Sequence, residues 1–151
     1  MSTIFLLLTL GLAIRASWID AKTGLLPNKL NLFIFLSALG WIATSSLEVD
    51  FLSYVLVVLG HLALVLLPKV GLGAGDLKLI FGLGLLAAGL NQIWTWLTLA
   101  YVLAGIWGLL HLNNRNIRFG PWLTAALVAI VVGEFTPCCD GLLQVNPMVL
   151  L

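Results

Sequence analysis

Residues 93–112 read IWTWLTLAYVLAGIWGLLHL, a run of 20 residues without a lysine, arginine, aspartate or glutamate. A helix of about 20 apolar residues is long enough to span the hydrocarbon core of a bilayer. The rest of the chain has the same character, because 62% of its 151 residues are hydrophobic and only 9% are charged. A soluble domain carries about 25% charged residues. The sequence therefore predicts an all-α membrane protein and excludes a soluble domain.

Five further apolar runs accompany this one and predict about six transmembrane helices in a single domain, residues 1–151. The fourth run is short and contains Gly82, Gly84 and Gly89, so a re-entrant hairpin is an alternative to a full crossing. The predicted spans are 3–19, 30–45, 51–67, 77–90, 93–112 and 119–135.

The charged residues divide between the two ends of these spans. Because loops rich in lysine and arginine remain in the cytoplasm, the loops after the first, third and fifth spans are expected there, with both termini outside. A fourth run that failed to cross would spoil this division, which supports six crossings. The cytoplasmic loops contain Lys22, Lys29, Lys69, Lys78, Arg115 and Arg118. The outer segments contain only acidic charges, at Glu48, Asp50, Glu134 and Asp140.

Two aspartates, Asp20 and Asp76, do not fit the acidic outer side. Asp20 follows the first apolar run and Asp76 precedes the fourth, so both are predicted at one depth near the cytoplasmic surface. Ionisable groups at membrane depth are costly and usually mark function. Each residue alone is equally well explained as an interfacial loop residue or, for Asp76, as a helix N-cap. Their shared side and depth favour a function for the pair.

Two neighbouring carboxylates can share acid and base roles, because like charges at close range do not both ionise easily. One then activates a water molecule while the other donates a proton, which is suited to amide hydrolysis. Gly73 and Gly75 precede Asp76 and permit the close approach of a substrate strand. The two cysteines, Cys138 and Cys139, form no CxxC motif. We therefore predict neither a metal site nor a cofactor.

With these residues in view, the chain resembles the type IV prepilin peptidases, a family of membrane GxGD aspartic peptidases that includes the archaeal preflagellin peptidases. Asp20 followed by Pro27-Asn28 is similar to the first-aspartate motif of that family. The segment Gly73-Ala74-Gly75-Asp76-Leu77-Lys78-Leu79 is similar to its GxGDxKL motif, and Phe119-Gly120-Pro121 to its FGP element. The three elements occur in the family's order across nearly the whole chain.

The resemblance implies an endopeptidase of the prokaryotic cytoplasmic (inner) membrane, active at the cytoplasmic face in type IV pilus assembly or protein secretion. Its expected partners are the lipid bilayer and a prepilin or pseudopilin that carries a short basic leader. The leader would be cleaved off just after a glycine. Binding of nucleic acid is not expected. Asp20 and Asp76 would be the catalytic pair. Gly73, Gly75, Lys78, Pro27 and Asn28 are the expected substrate-binding residues, with an ordinary helix start as the alternative for Pro27-Asn28 and a membrane anchor for Lys78.

The sequence also bears on the subtype of the family, on alternative functions and on one histidine within a span. The chain has no N-terminal region with paired cysteines, so it is similar to the short tight-adherence (Flp) and preflagellin type, and no methyltransferase activity is expected. A small ion- or proton-coupled transporter using the aspartate pair, or an inactive scaffold for pilus assembly, are the alternative functions. His61 lies within the third span, where an interhelical hydrogen bond is the expected role.

Overall fold

The computed structural model describes residues 2–45, 48–67, 73–110 and 118–135, which form six α-helices and no strand. This confirms the all-α prediction. Lys69, Arg115, Cys138, Cys139 and Asp140 lie outside the described residues. The helices are α1 (Ser2–Thr23), α2 (Asn28–Ser45), α3 (Phe51–Leu66), α4 (Ala74–Gly89), α5 (Ile93–Leu110) and α6 (Gly120–Phe135).

The observed bounds differ most from the predicted ones at α1 and at α4, which begins at Ala74 and not at residue 77. The sequence predicts that the first ends at residue 19, but α1 continues to Thr23 and carries Asp20 in its last turns. It ends at Gly24, whose φ of 68° is the left-handed conformation that commonly terminates helices. The fourth is one unbroken helix over Ala74–Gly89, so the alternative of a re-entrant hairpin is wrong.

Consecutive helices run in opposite directions between two ends of the bundle. At the aspartate end, defined here as the end of α1 and the starts of α2, α4 and α6, the Lys78 side chain contacts that of Asn28. At the opposite end, the Asp50 backbone N–H donates to the Ala88 carbonyl over 3.4 Å. The residues predicted in basic loops lie at the aspartate end where the structure describes them, Lys22, Lys29 and Lys78 within the terminal turns of helices and Arg118 just before α6. Glu48, Asp50 and Glu134 lie at the opposite end.

The core is built around α4, which packs against α2, α3, α5 and α6. Every residue from Gly82 to Gly89 is buried. Gly82 allows α2 to approach closely, because a Cβ at this position would lie 2.7 Å from Ile34 Cγ2. Small residues at such contacts are typical of helix packing in membranes. The central position of α4 fixes Asp76, at its start, relative to four surrounding helices.

The outer surface of the bundle is apolar. Leu7, Leu66 and Leu109 are each more than 60% exposed, and they belong to a larger set of exposed aliphatic and aromatic side chains. Two of the described helices, α1 over Thr3–Thr23 and α5, are long and apolar enough to cross a bilayer, while α3 and α6 are shorter apolar helices. An apolar surface of this extent is stable in lipid rather than in water. The protein is an all-α membrane protein.

Candidate active site

Asp20 occupies a buried position near the end of α1, with only 5% of its surface exposed. Its main-chain carbonyl accepts two hydrogen bonds, from the Gly24 backbone N–H at 2.8 Å and from Arg118 Nη1 at 2.8 Å. The Arg118 guanidinium also donates to the Ala21 carbonyl. These bonds satisfy carbonyls that a helix end leaves without partners. They therefore fix the last turn of α1, and with it the backbone of Asp20.

Asp76 is the third residue of α4 and is half-buried. The N-cap of this helix is Gly73, so the N-cap alternative for Asp76 is wrong by three positions. The carboxylate reaches back instead, and its Oδ2 accepts a hydrogen bond from the Gly73 backbone N–H at 3.3 Å. An acidic residue in the first turn interacts favourably with the helix dipole. The start of α4 thus holds the Asp76 carboxylate in place.

Gly120, the first residue of α6, lies against the Asp20 carboxylate. Its backbone N–H is close enough to Asp20 and to Asp76 to act on the charge of each. A Cβ at Gly120 would lie 2.7 Å from Asp20 Oδ2, so a residue without a side chain is required for this approach. The glycine of the Phe119-Gly120-Pro121 element therefore belongs to the same cluster as the two aspartates.

The Asp20 and Asp76 carboxylates are also close enough together for an electrostatic interaction between their charges. Asp20 Oδ2 is buried and, among the residues that the structure describes, has no hydrogen-bond donor. A buried oxygen of this kind calls for a partner such as a water molecule or a substrate group. Within the described part of the chain, the cluster thus holds two neighbouring carboxylates, the nearby Gly120 amide and one acceptor without a partner.

The residues predicted to bind substrate surround the start of α4. Lys78 Nζ donates to Asn28 Oδ1 over 2.7 Å, so the structure brings these two predicted residues together. Pro27 directly precedes α2, and its carbonyl accepts from the backbone N–H groups of the first turn. Gly75 packs under the Leu26 side chain, which a Cβ at this glycine would approach to 3.2 Å. Gly73 is placed beside Asp76 by the hydrogen bond described above.

Sequence reasoning missed the role of Arg118, which it treated only as a cytoplasmic anchor. The position of this residue directly before Phe119-Gly120-Pro121 was the available signal. Its partners are carbonyls of α1, nearly a hundred residues away in the chain, so no local pattern reveals them.

A second polar contact supports the element that carries Gly120. His61 Nδ1–H donates to the Val57 carbonyl over 2.8 Å, so in the neutral ring Nε2 is the acceptor. The Tyr101 hydroxyl donates to this Nε2 over 2.9 Å. The Tyr101 ring also packs on Phe119 with 4.8 Å between ring centroids. The interhelical hydrogen bond predicted for His61 is confirmed, and it joins α3 to α5. The ring contact of Tyr101 with Phe119 then links α5 to the residue before α6.

A sequence model of the type IV leader peptidase family matches residues 6–133 of the chain. The matched segment contains Asp20, Asp76 and the Phe119-Gly120-Pro121 element. No curated protein and no solved structure matches the chain.

Proposed function

The chain belongs to the type IV leader peptidase family, and from this membership we propose that it is a membrane aspartic endopeptidase that removes the leader peptide from type IV prepilins or pseudopilins. Membership of this family supports a peptidase activity for the chain. The aspartic mechanism, the substrate and the membrane orientation are parts of the proposal, and each depends on particular residues.

The observation that carries the aspartic mechanism is the cluster of Asp20, Asp76 and the Gly120 amide. Two carboxylates that feel each other's charge tend to hold one proton between them. The ionised carboxylate takes a proton from a water molecule as the oxygen of that water attacks the scissile carbonyl carbon. The protonated carboxyl donates its proton to the carbonyl oxygen, which gives a tetrahedral intermediate with two hydroxyl groups. As the C–N bond breaks, the leaving amine receives the proton that was taken from the water molecule, and one hydroxyl returns its proton to the carboxylate that had donated. The apparent titration belongs to the pair, so neither residue is assigned permanently as the base.

The surroundings of the pair suit this chemistry. The Gly120 N–H is an uncharged donor near both carboxylates, and such a donor stabilises whichever one is ionised. Asp20 Oδ2, which has no partner among the described residues, is available to the water molecule or to the scissile carbonyl. Arg118 is a positioning residue, because it acts through the main chain of α1.

The charge distribution supports an active site at the cytoplasmic face of a prokaryotic inner membrane. The described lysines and Arg118 share the aspartate end of the bundle, while Glu48, Asp50 and Glu134, the described acidic residues outside the site, lie at the opposite end. With six crossings, basic loops on the cytoplasmic side leave both termini outside. A substrate with a leader in the cytoplasm and an apolar helix in the bilayer would then present the bond between them at this depth.

The proposed substrate contacts follow from the same geometry. Gly73 lies beside Asp76 and is exposed, and its lack of a side chain permits an extended substrate strand to lie against it. Gly75 is covered by Leu26, so it contributes by close packing at the start of α4 and not by an open surface. The paired side chains of Lys78 and Asn28, next to Pro27, form the neighbouring polar surface.

Cleavage of a defined probe by membranes that contain the full chain tests this function. The probe is a synthetic polypeptide with a short lysine-rich leader that ends in glycine, followed by about 20 apolar residues. We expect a single cut directly after the glycine, identified by the mass of both products and absent from membranes without the protein. Cleavage elsewhere in the probe, or none by a chain shown to be inserted, would contradict the proposal.

A further inference from the structure

A groove runs between α2 and α4 on the outer surface of the bundle, with a volume of ≈ 440 Å³. Its walls are mainly apolar, and Leu32 is 56% exposed within it. Its polar part lies at the aspartate end, where Lys78 contacts Asn28. The lining residues are Asn28, Asn31, Leu32, Phe35, Lys78 and Phe81.

Asn31 is the unusual member of this lining. It is only 4% exposed, and neither Oδ1 nor Nδ2 has a hydrogen-bond partner among the residues that the structure describes. An amide left without partners in an apolar setting costs free energy, and buried side-chain amides are normally satisfied. Asn31 is one of the residues that line the groove, so its buried amide is the group there with an acceptor and two donors left for an occupant that reaches it.

The chemistry of this amide restricts the occupant. A lipid acyl chain supplies no hydrogen-bonding group and leaves Asn31 unsatisfied. The middle of a helix from a second copy of the chain has its backbone groups bonded internally. The first turn of a helix has up to four backbone N–H groups without partners, preceded by an extended chain with free carbonyls. A peptide that enters the membrane as a helix has such a turn.

The position of the groove matches the position of the aspartates. Asp76 and Lys78 are two residues apart in α4, so their side chains point about 200° apart around the helix. The groove and the carboxylates thus lie on opposite sides of the start of α4, separated by a helix diameter of about 10 Å. An extended peptide covers about 3.3 Å per residue, so about three residues cross this distance. A path between the two sides runs past Gly73, the exposed N-cap of α4.

We propose that this groove binds the first helical turn of the peptide substrate, and that Asn31 hydrogen-bonds one of its peptide units. Asn31 Oδ1 accepts from a free N–H of that turn, and Nδ2 donates to a carbonyl of the chain that enters it. The inference rests on the proposed function, because it takes the substrate to be a peptide cut at the aspartates. It places the docked turn a few residues after the scissile bond.

Site-specific photo-cross-linking tests the occupant. Benzoylphenylalanine replaces either Leu32, in the groove, or Phe33, its neighbour on the same helix, which is similarly exposed but absent from the groove lining. Both replacements are made in full-length Asp76→Asn protein in membranes, with the leader–glycine–apolar probe described above. We expect cross-links from position 32 to the first residues after the glycine and at least fivefold fewer from position 33. Equal yields, or cross-links from position 32 to lipid or to a second copy only, would overturn the proposal.

The variant Asn31→Leu tests the hydrogen bonds. Loss of bonds to a buried amide raises KM for the probe about tenfold and leaves kcat within about twofold. Because the substitution also removes an unsatisfied amide, thermal stability is unchanged or higher, which separates binding from folding. A matched control is Ala125→Leu, which fills the apolar groove of ≈ 610 Å³ between α1 and α6. An increase in KM for Ala125→Leu and none for Asn31→Leu would assign the substrate to the other groove and overturn the proposal.

The two proposals fail separately in these experiments. Cleavage of the probe by the unsubstituted chain reports on the peptidase. Position-dependent cross-linking is measured without cleavage and reports on the groove. Cleavage of the probe with no preference for cross-linking at position 32 would contradict the proposed role of the groove and support the peptidase. A preference for position 32 without any cleavage by the unsubstituted chain would support peptide binding in the groove and contradict the peptidase.

Discussion

Arg118 Nη1 donates a hydrogen bond to the main-chain carbonyl of Asp20 over 2.8 Å. This bond joins the segment before α6 to the end of α1. Two residues further along, Gly120 lies beside the Asp20 carboxylate. Arg118 therefore ties the backbone of one proposed catalytic aspartate to the segment that leads into Gly120, and the Ser17 hydroxyl, which donates to the Gly120 carbonyl over 3.3 Å, adds a second link between α1 and α6.

Replacing Arg118 with glutamine is expected to slow cleavage about tenfold and to lower stability by about 1 kcal/mol. The substitution removes the charge-assisted bonds to two carbonyls at the end of α1, while Arg118→Lys retains a donor and recovers part of the rate. Cleavage rates and thermal unfolding in detergent measure both effects. Lys22→Gln removes an equal charge at the same end of the bundle and serves as the control. Equal losses in both glutamine variants would assign the effect to net charge instead.

A methyl group at Gly120 is expected to abolish most of the activity. In Gly120→Ala the new Cβ would lie 2.7 Å from Asp20 Oδ2, so the carboxylate or the start of α6 must move. Misplacement of a catalytic group by about 1 Å can cost a hundredfold in rate. Gly105→Ala is the matched control, because a Cβ at that position meets nothing within 4 Å. Full activity in Gly120→Ala would show that the close approach is not needed.

Removal of the Tyr101 hydroxyl is expected to destabilise the protein by about 1–3 kcal/mol, because it leaves the buried His61 Nε2 without its donor. Tyr54→Phe is the control, since the Tyr54 hydroxyl donates to the Phe81 carbonyl, which is a helix carbonyl. A smaller effect, below about 1 kcal/mol, is expected there. Chemical unfolding of both variants gives the comparison, and equal losses would argue against a special role for the His61–Tyr101 bond.

The stability contributed by Asp50 is expected to depend on pH. Asp50 is the N-cap of α3, and its hydrogen bonds with Ser53 lower the pKa of the carboxyl group below its usual value of 3.8. Because the folded state favours the ionised form, the contribution is complete above the pKa of the unfolded chain and is lost as the pH falls through the lowered pKa. The difference in Tm between the unsubstituted chain and Asp50→Ala should therefore be constant above about pH 5 and shrink in acid.

The control for this prediction is Glu48→Ala, which removes an exposed carboxylate from the same loop. A Tm difference for Asp50→Ala that grows in acid would contradict a lowered pKa for Asp50 in the folded state.

Hydropathy and charge were sufficient to predict most of the fold. The spans follow from apolar runs, and Asp20 and Asp76 stand out because acids are costly at membrane depth. The ends of the helices were less accessible, since α1 continues beyond residue 19 until Gly24 takes the left-handed conformation. Such a boundary depends on a local backbone state that hydropathy does not register.

The contacts of the site could not be predicted, because they join distant parts of the chain. Sequence alone marks Arg118 as a topological anchor, yet its guanidinium caps α1. Asp76 is a plausible N-cap by residue type, but the chain places it at the third helical position and turns its carboxylate back to Gly73. Asn31 is one polar residue at the start of an apolar run, and only the packing of α4 against α2 shows that its amide lacks partners among the described residues.

The central claim is that Asp20 and Asp76 act as one catalytic unit, and cleavage by the two single variants and the double variant tests it most directly. Asp20→Asn, Asp76→Asn and the double variant are compared with the unsubstituted chain in membranes, at equal amounts of inserted protein, with the leader–glycine–apolar probe. Residues that act as a unit are strongly non-additive. We predict that each single substitution lowers the cleavage rate by at least about a thousandfold and that the double substitution lowers it no further. Cleavage at a normal rate by either single variant would contradict the account.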